Sequence, residues 1–575
     1  MPTPTGPDRL LRRVVRDGGG WTGLLTVVAL IGATAELALP ASLGFAVDAA
    51  VGGTASWWPA VACALVAILL TTDILGDVAA GYGAARATAL LRRRLLRHLF
   101  ACDVRTVRRY PVGDLVGRLV GQATDAGQAG TAVVFGVVAL LPPVGSVVAL
   151  TLIEPLLGLT LLGGLAVLAV LMRAFVTDAS AAVTGYQRVL GAIAGRLLEA
   201  LGGARTIAAA ATVDQERERV LSALPELRGY GQLGWRLLAR ARACTAAVGP
   251  LLQAAVVAVG GYALTVGWLT PGQLVAAMQY AALGAGLGAV LATLNRLVRA
   301  RAAANRIAEP LAHPTRRYGD EPLPSGRGEL RLCGVGVHGE DGRPVLRGID
   351  LLVPAGATLA VVGRSGVGKS TLAAVAGRLH DPDAGEVLLD GVPLHRLSPE
   401  ALRRGIGQAF DRPVLVGETM HDAIGLALPD ESAGPPAGAA PATAEVLAVA
   451  RAAQVADVVA RLPDGFRTRL TEAPLSGGEA QRIGLARAFP AQRLLILDDA
   501  TSSLDTATEH RISRAVTEGV GGRTRLVVTH RAATAATADL VAWLDGGRVR
   551  AVGPHRRLWA DPDYRAVFTP GGDLR

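Results

Sequence analysis

At 575 residues the chain is long enough for more than one domain. Hydrophobic residues make up 51% and charged residues 18%, against about 25% charged in an average soluble domain, which points to a membrane rather than a wholly soluble chain. The formal net charge of +10 calls for an anionic partner, but the arginines cluster beside apolar runs, as at Arg92, Arg93, Arg94 and Arg97, without interleaved aromatics, so a lipid surface is favoured and nucleic acid disfavoured.

The start, MPTPTGPDRLLRRVVRDGGG, does not read as a secretory signal, because the apolar stretch after it is too long for an h-region. Residues 1–20 are taken as an N-terminal segment. Six mostly apolar spans follow, beginning near Trp21, Trp58, Thr131, Pro155, Ala243 and Gln273. Each has about the 20 residues needed to cross a ~30 Å hydrocarbon core. Arg9, Arg12, Arg13 and Arg16, and the connections near 86–125 and 173–242, are arginine-rich, whereas VGGTASWW, IEP and GWLTPG carry no Lys or Arg. Positive loops stay on the cytoplasmic side, so both termini and both long connections are expected inside the cell membrane. The second span is expected to run through Arg86 to about Phe100, and the fourth past Arg173 towards Ile207, projecting tens of ångströms at ~1.5 Å per residue. Asp73 and Asp77 share a helical face. Like Glu36, they mark either a path for a cation-preferring substrate, or a solvated gap between helices or an arginine partner.

The all-α six-helix region is expected over 21–308 and a linker over 309–328, where the polar, Pro-rich stretch HPTRRYGDEPLPSGRGE separates the two halves. Residues 329–575 read as an α/β P-loop NTPase with a helical subdomain. There TLAVVGRSGVGKSTLAAVAGRL gives an apolar strand, a glycine-rich loop and an apolar-periodic helix. Gly363, Arg364, Ser365, Gly366, Val367, Gly368, Lys369 and Ser370 match G-x-x-x-x-G-K-[ST] in its required context. Backbone N–H groups of this loop, together with Thr371 at the helix start, are expected to cradle ATP phosphates. Lys369 should reach the β/γ-phosphates and Ser370 the Mg²⁺. Of the 58 Lys+Arg residues, Lys369 is the single lysine. Arginine does not easily replace a compact ammonium in a tight cradle. Further on, LLILDD places Asp498 and Asp499 at a strand end, where Asp498 suits Mg²⁺ directly or through water. The four cysteines, Cys63, Cys102, Cys244 and Cys333, have neither metal nor disulfide spacing, and ESAGPPAGAAPATAE reads as a flexible surface loop.

Several segments resemble exporter-type ABC transporters, in family order. LPASLGFAVD resembles their LPxxxGxxxD stretch, YPVGDLVGRL is similar to the segment after their first coupling helix, and GARTIAAAATVDQER resembles their second intracellular loop. TPGQLVAAMQY and AAANRIAEPL look like the opening and close of their last span. LSGGEAQRIGLARA (Leu475–Ala488) is similar to the signature sequence. The resemblance implies that Ser476, Gly477 and Gly478 bind the γ-phosphate held by the opposite subunit. It further implies that Gln408, in IGQAFDRPVL, is the Q-loop residue touching Mg²⁺ and the membrane domain. Ser503-Leu504-Asp505 resembles the D-loop and His530 the switch histidine. Two departures stand out. Asp499 replaces the Glu that polarises the attacking water, and His338 lies where an adenine-stacking Tyr is expected. A ~1 Å misplacement can cost on the order of 100-fold in rate, so this chain's own site is expected to hydrolyse slowly while its signature completes a partner's site. The resemblance thus implies a half-transporter working as a dimer, heterodimer favoured over homodimer, moving an unknown small molecule, lipid or peptide, with export favoured over import. A low-hydrolysis regulatory subunit and an exporter-fold siderophore importer are the alternatives, and the absence of a peptidase domain before the first span disfavours a peptide-processing exporter.

Overall fold

A computed structural model describes residues 6–339, 341–428, 444–504, 508, 511–512 and 522–569, with the side chains of 7, 168–169, 171–184, 241–242, 244–246, 287–292 and 294 outside the description. The chain forms two units. One comprises 1–100 and 110–314, the other 101–109 and 315–575.

The first unit is helical. A short amphipathic helix, α1 (Pro7–Asp17), is followed by α2 (Gly20–Val51) and α3 (Trp58–Ala101). After α4 (Val104–Arg108) come α5 (Val112–Gly117), α6 (Ala123–Gly127), α7 (Ala129–Val138) and α8 (Leu141–Ile153). A widened π-type turn at Arg118–Gln122 joins α5 to α6, and α7 stops where Pro142 and Pro143 follow. Proline disfavours α geometry in the residue before it and offers no N–H, so the chain restarts with a proline near the first helical position. Then come α9 (Pro155–Gly202), α10 (Ala204–Ala209), α11 (Val213–Leu221), α12 (Leu224–Thr265), α13 (Pro271–Gly284) and α14 (Leu287–Leu311). Taken as α2, α3, α5–α8, α9, α12 and α13–α14, they make six helical legs. Among the described residues, Gly20–Val51, Trp58–Ala101, Val112–Ile153 and Ala247–Thr265 are long and apolar enough to cross a membrane, with Pro155–Val167 a shorter apolar helix. The second leg runs unbroken to Ala101, and the fourth stops at Gly202, just short of Ile207. Asp73 and Asp77 are exposed on α3.

Two contacts explain segments that look unrelated in sequence. Asp48, near the end of α2, accepts from Thr270 Oγ1 at 2.6 Å and from Gly272 N at 2.7 Å. Thr270 and Gln273 also form a capping box at the start of α13, so orphan donors of that helix are satisfied from two sides. A Cβ on Gly44 would lie 2.7 Å from Gly272 O. The glycines allow the close crossing that brings Asp48 within reach. Deeper in the unit, Arg118 is almost fully buried and pairs with Asp114 at 2.7 Å and Glu309 at 2.8 Å. It also donates to the Arg306 carbonyl and lies over the Tyr110 ring. Arg306 closes the circle on Asp114 at 2.8 Å. A buried guanidinium is tolerated only when its donors are met, so YPVGDLVGR and RIAE are two halves of one network.

The second unit holds two sheets. A four-stranded antiparallel sheet has order β2-β1-β4-β5, from β1 (Leu330–His338), β2 (Pro344–Val353), β4 (Ala384–Leu389) and β5 (Val392–Pro393). A six-stranded sheet has order β10-β9-β3-β8-β7-β6, from β3 (Thr358–Val362), β6 (Ile406–Phe410), β7 (Leu494–Asp498), β8 (Thr524–Val528), β9 (Leu540–Asp545) and β10 (Arg548–Gly553). Its strands β6, β7, β8, β3 and β9 run parallel. Leu359–Val362 and Leu494–Leu497 are buried as continuous apolar runs, as central parallel strands covered on both faces must be. Helix α15 (Lys369–Ala376) packs on this sheet beside the shared core of Leu372, Val375, Leu494 and Ile496. A second core of Met420, Ile424, Val446, Val458, Ile483 and Leu485 holds a helical subdomain. Its elements are α17 (Met420–Gly425), α18 (Ala444–Ala452), α19 (Ala456–Ala460) and α20 (Gly477–Ala488), after α16 (Pro399–Gly405).

Candidate nucleotide site

The carboxyl ends of β3 and β7 lie one strand apart, separated by β8, and the loops leaving them build the site. After β3 the chain turns through Gly363, Gly366 and Gly368, whose φ values are +156°, +77° and +103°. At Gly366 and Gly368 a side chain would be strained. At Gly363 a Cβ would also sit 2.5 Å from Leu544 O. Arg364, Ser365 and Val367 fill the loop between them, and Ser370 and Thr371 lie in the first turn of α15. Lys369 Nζ donates to Gly363 O at 2.8 Å and Arg364 O at 2.9 Å. It is buried, and desolvation pushes its amine below the usual lysine range, partly offset by Asp499 and Asp498. The loop is thus a ring closed on its own lysine, with backbone N–H groups at a helix N-terminus, where anions bind.

Ser370 Oγ donates to Asp498 Oδ1 at 3.0 Å. At the end of β7, Asp499 has φ +47°, a left-handed conformation that Asp adopts more readily than most residues. Its Oδ2 lies 3.3 Å from His530 Nε2. Burial raises the pKa of both carboxyls. For Asp499, His530 and Lys369 oppose the shift and Asp411 adds to it. For Asp498, the Ser370 hydroxyl opposes it while Asp499 and Asp411 add to it. The loops after β3, β7 and β8 therefore bring Lys369, Ser370, Asp498, Asp499 and His530 together.

Gln408 does not join them. It sits in the middle of β6, level with Ile496 of β7, and its amide lies against Gly377 at the C-terminal end of α15. With α15 running from Lys369 to Ala376, that is on the order of 12 Å along the helix from the phosphate loop. The residue that leaves β6 beside the site is Asp411, close enough to act on both Asp498 and Asp499. Glutamine identity was the misleading signal, and the phase of the strand was the informative one. Asp505 lies outside the described residues, as does most of the Ala/Pro-rich insert.

Ser476 caps α20. Its Oγ accepts from Glu479 N at 3.3 Å, and Glu479 Oε2 accepts from Ser476 N at 2.8 Å. Serine followed three residues later by glutamate is a capping box. The Ser476 backbone N–H, with arginines nearby, holds the Glu479 carboxyl below its usual range. Gly477 and Gly478 open the helix, and a Cβ on Gly478 would stand 3.1 Å from Ser503 O. At the end of β1, His338 N donates to Asp383 Oδ2 at 2.6 Å, with His338 Nδ1 3.2 Å from the same oxygen. Arg105 of α4 donates to the His338 carbonyl and lies 3.9 Å from Asp383.

Comparison with known proteins gives the same two-part division. The ABC transporter transmembrane region matches residues 22–285 and the ABC transporter domain residues 346–502. The ABC transporter ATP-binding protein RamA of Streptomyces coelicolor is 48% identical over 552 residues, spanning 95% of this chain and 85% of that protein. This chain belongs to the ABC transporter family. The multidrug efflux ATP-binding/permease protein Rv0194 of Mycobacterium tuberculosis is 39% identical over 341 residues, 57% of this chain but 28% of that longer protein. A bacterial Atm1-family ABC exporter solved with ATP bound shares the fold at a TM-score of 0.76 and 25% identity, covering 97% of this chain and 98% of that one. The ABC transporter reading fixes the main chemistry. Membrane and ATP-binding domains are fused in one chain with the architecture of an export half-transporter, and it binds ATP and couples its hydrolysis to transport across a membrane.

Proposed function

We propose that the chain is one half of an asymmetric dimeric exporter, in which its own ATP site turns over slowly and its signature helix completes a faster site on a different subunit. The observation behind this is Asp499. Its carboxylate is engaged with His530 at 3.3 Å, yet it is one methylene shorter than the glutamate the family uses to polarise water, and catalytic rates fall steeply with such misplacement. The signature helix, by contrast, is fully capped and opens on two glycines.

In this reading residues 363–371 hold the ATP phosphates, with Lys369 leaving its loop carbonyls for the β/γ-phosphates. Ser370 and Asp498 would hold Mg²⁺, since a hydroxyl and a carboxylate oxygen, both oxygen donors of the kind that hard ion takes, stand together at 3.0 Å beside the phosphate loop. Bound there, Mg²⁺ would neutralise charge on the β- and γ-phosphates. Asp499 and His530 orient the attacking water. The segments take the roles of an N-terminal stretch (1–20), membrane domain (21–308), linker (309–328) and nucleotide domain (329–575), in the cell membrane with both termini cytoplasmic. Relatives described as efflux and exporter proteins support outward transport, and the cargo in this reading is a small molecule, lipid or peptide.

The test is steady-state ATPase of the complete transporter. Asp499→Glu should change the rate less than about threefold, while Ser476→Arg should remove most activity by placing a cation where the partner's γ-phosphate meets the helix N-terminus. The opposite ranking overturns the asymmetric reading.

A further inference from the structure

Two loops meet at one buried amide, and a third joins through one of them. Gln481 lies on α20, five residues after Ser476, and is 2% exposed, the most deeply buried polar side chain of that helix. Its Nε2 donates to Asp411 O at 2.7 Å, with Ser502 Oγ at 2.9 Å and Asp411 Oδ1 at 3.3 Å also in reach. Its Oε1 accepts from Ser503 N at 3.0 Å. Ser502 Oγ in turn donates to Asp411 Oδ1 at 2.6 Å, and Arg531, next to His530, donates to Ser502 O at 2.8 Å. Both ends of the amide are used, as a buried amide requires. The acceptor for Ser502 is a carboxylate, which makes the short bond the strongest of the set.

The geometry points to Gln481, with Asp411 as its anionic anchor, as the positioning residue that locks the turn after Asp499 to the helix that begins at the signature. Ser502 is three residues from Asp499, and Ser503 O lies against Gly478. The network therefore holds this chain's water-orienting carboxylate and its signature nest in one register. A shift at either is felt at the other, although they serve different ATP molecules. This rests on the proposed roles of Asp499 and Ser476–Gly478. Among the described residues the hydrogen bonds of Gln481, Asp411 and Ser502 stay within this network, while the phosphate-loop lysine is held by Gly363 and Arg364. Loss of the network should therefore lower turnover without loosening ATP.

The test is kcat and KM for ATP in the purified, complete transporter. Asp411→Ala, which strands the Ser502 hydroxyl, should lower kcat about tenfold or more with KM within about threefold. Asp411→Asn keeps an acceptor oxygen for Ser502 and should lose clearly less kcat than Asp411→Ala. Gln481→Glu sets a carboxylate against Asp411 O and Ser502 Oγ and should match Asp411→Ala. Combining Ser502→Ala with Asp411→Ala should add little to either alone, because both break the same bond. Should Gln481→Glu fail to assemble, the part-exposed Asp411 and Ser502 variants decide. Parent-level kcat in Asp411→Ala, a KM that rises in step with the fall in kcat, or an Asn variant as impaired as the Ala variant would each overturn the assignment. Lys369→Ala and Ser476→Arg run alongside separate the two failures. If they fall as expected while Asp411→Ala is normal, only the network is wrong, and if they are normal the site reading itself is.

Discussion

Lys369 is the one lysine among 58 basic residues, and its surroundings show why arginine has not replaced it. Two carbonyls 2.8 and 2.9 Å from Nζ close around a point charge, a space that a planar five-donor fork does not fit. Lys369→Ala should abolish measurable ATP binding at this site while leaving the chain folded. Titration of the purified variant with a fluorescent ATP analogue checks it, and unchanged affinity would sink the phosphate-loop assignment. Residue identities of this kind were legible in sequence because the motif prescribes both residue and spacing. Gln408 shows the limit. Its side-chain type matched an expected role, but the role depends on where β6 ends, and a shift of a few residues exchanges a strand-interior glutamine for the loop aspartate Asp411.

At the scale of elements, short-range signals are legible in the sequence and long-range ones are not. The glycine loop before α15 and the apolar runs of β3 and β7 announce themselves within a dozen residues. The reason that Gly44, Asp48, Thr270 and Gly272 belong together does not, since α2 and α13 meet only after folding. Nor does sequence show that Arg118 needs Glu309. These pairs give a direct stability test. Asp48→Ala leaves the Gly272 N–H without its 2.7 Å acceptor, a loss of about 1–3 kcal/mol for an unsatisfied buried group. The melting temperature of the variant in detergent should drop by several degrees, and Asp48→Asn, which keeps an acceptor, should lose less. Equal stability of Asp48→Ala and the parent would show that Asp48 does not hold α13.

For the whole molecule, loop charge gives the expected orientation in the membrane. Loop charge divides the membrane half into arginine-bearing and arginine-free connections, and both termini fall with the former. A reporter after Arg575 or near Arg108 should therefore report cytoplasm and one near Ser56 the exterior. An external signal near Arg108 would refute the orientation. The division of labour between subunits is the central claim, and ATPase of this chain purified without any partner subunit tests it most directly. A dimer of identical chains contains two Asp499 sites and two intact signatures, so the account predicts weak hydrolysis that rises on addition of a partner subunit carrying glutamate after its strand-end aspartate. Vigorous hydrolysis by the chain alone, lost in Asp499→Asn, would contradict it and make Asp499 a competent catalytic carboxylate in a homodimeric pump.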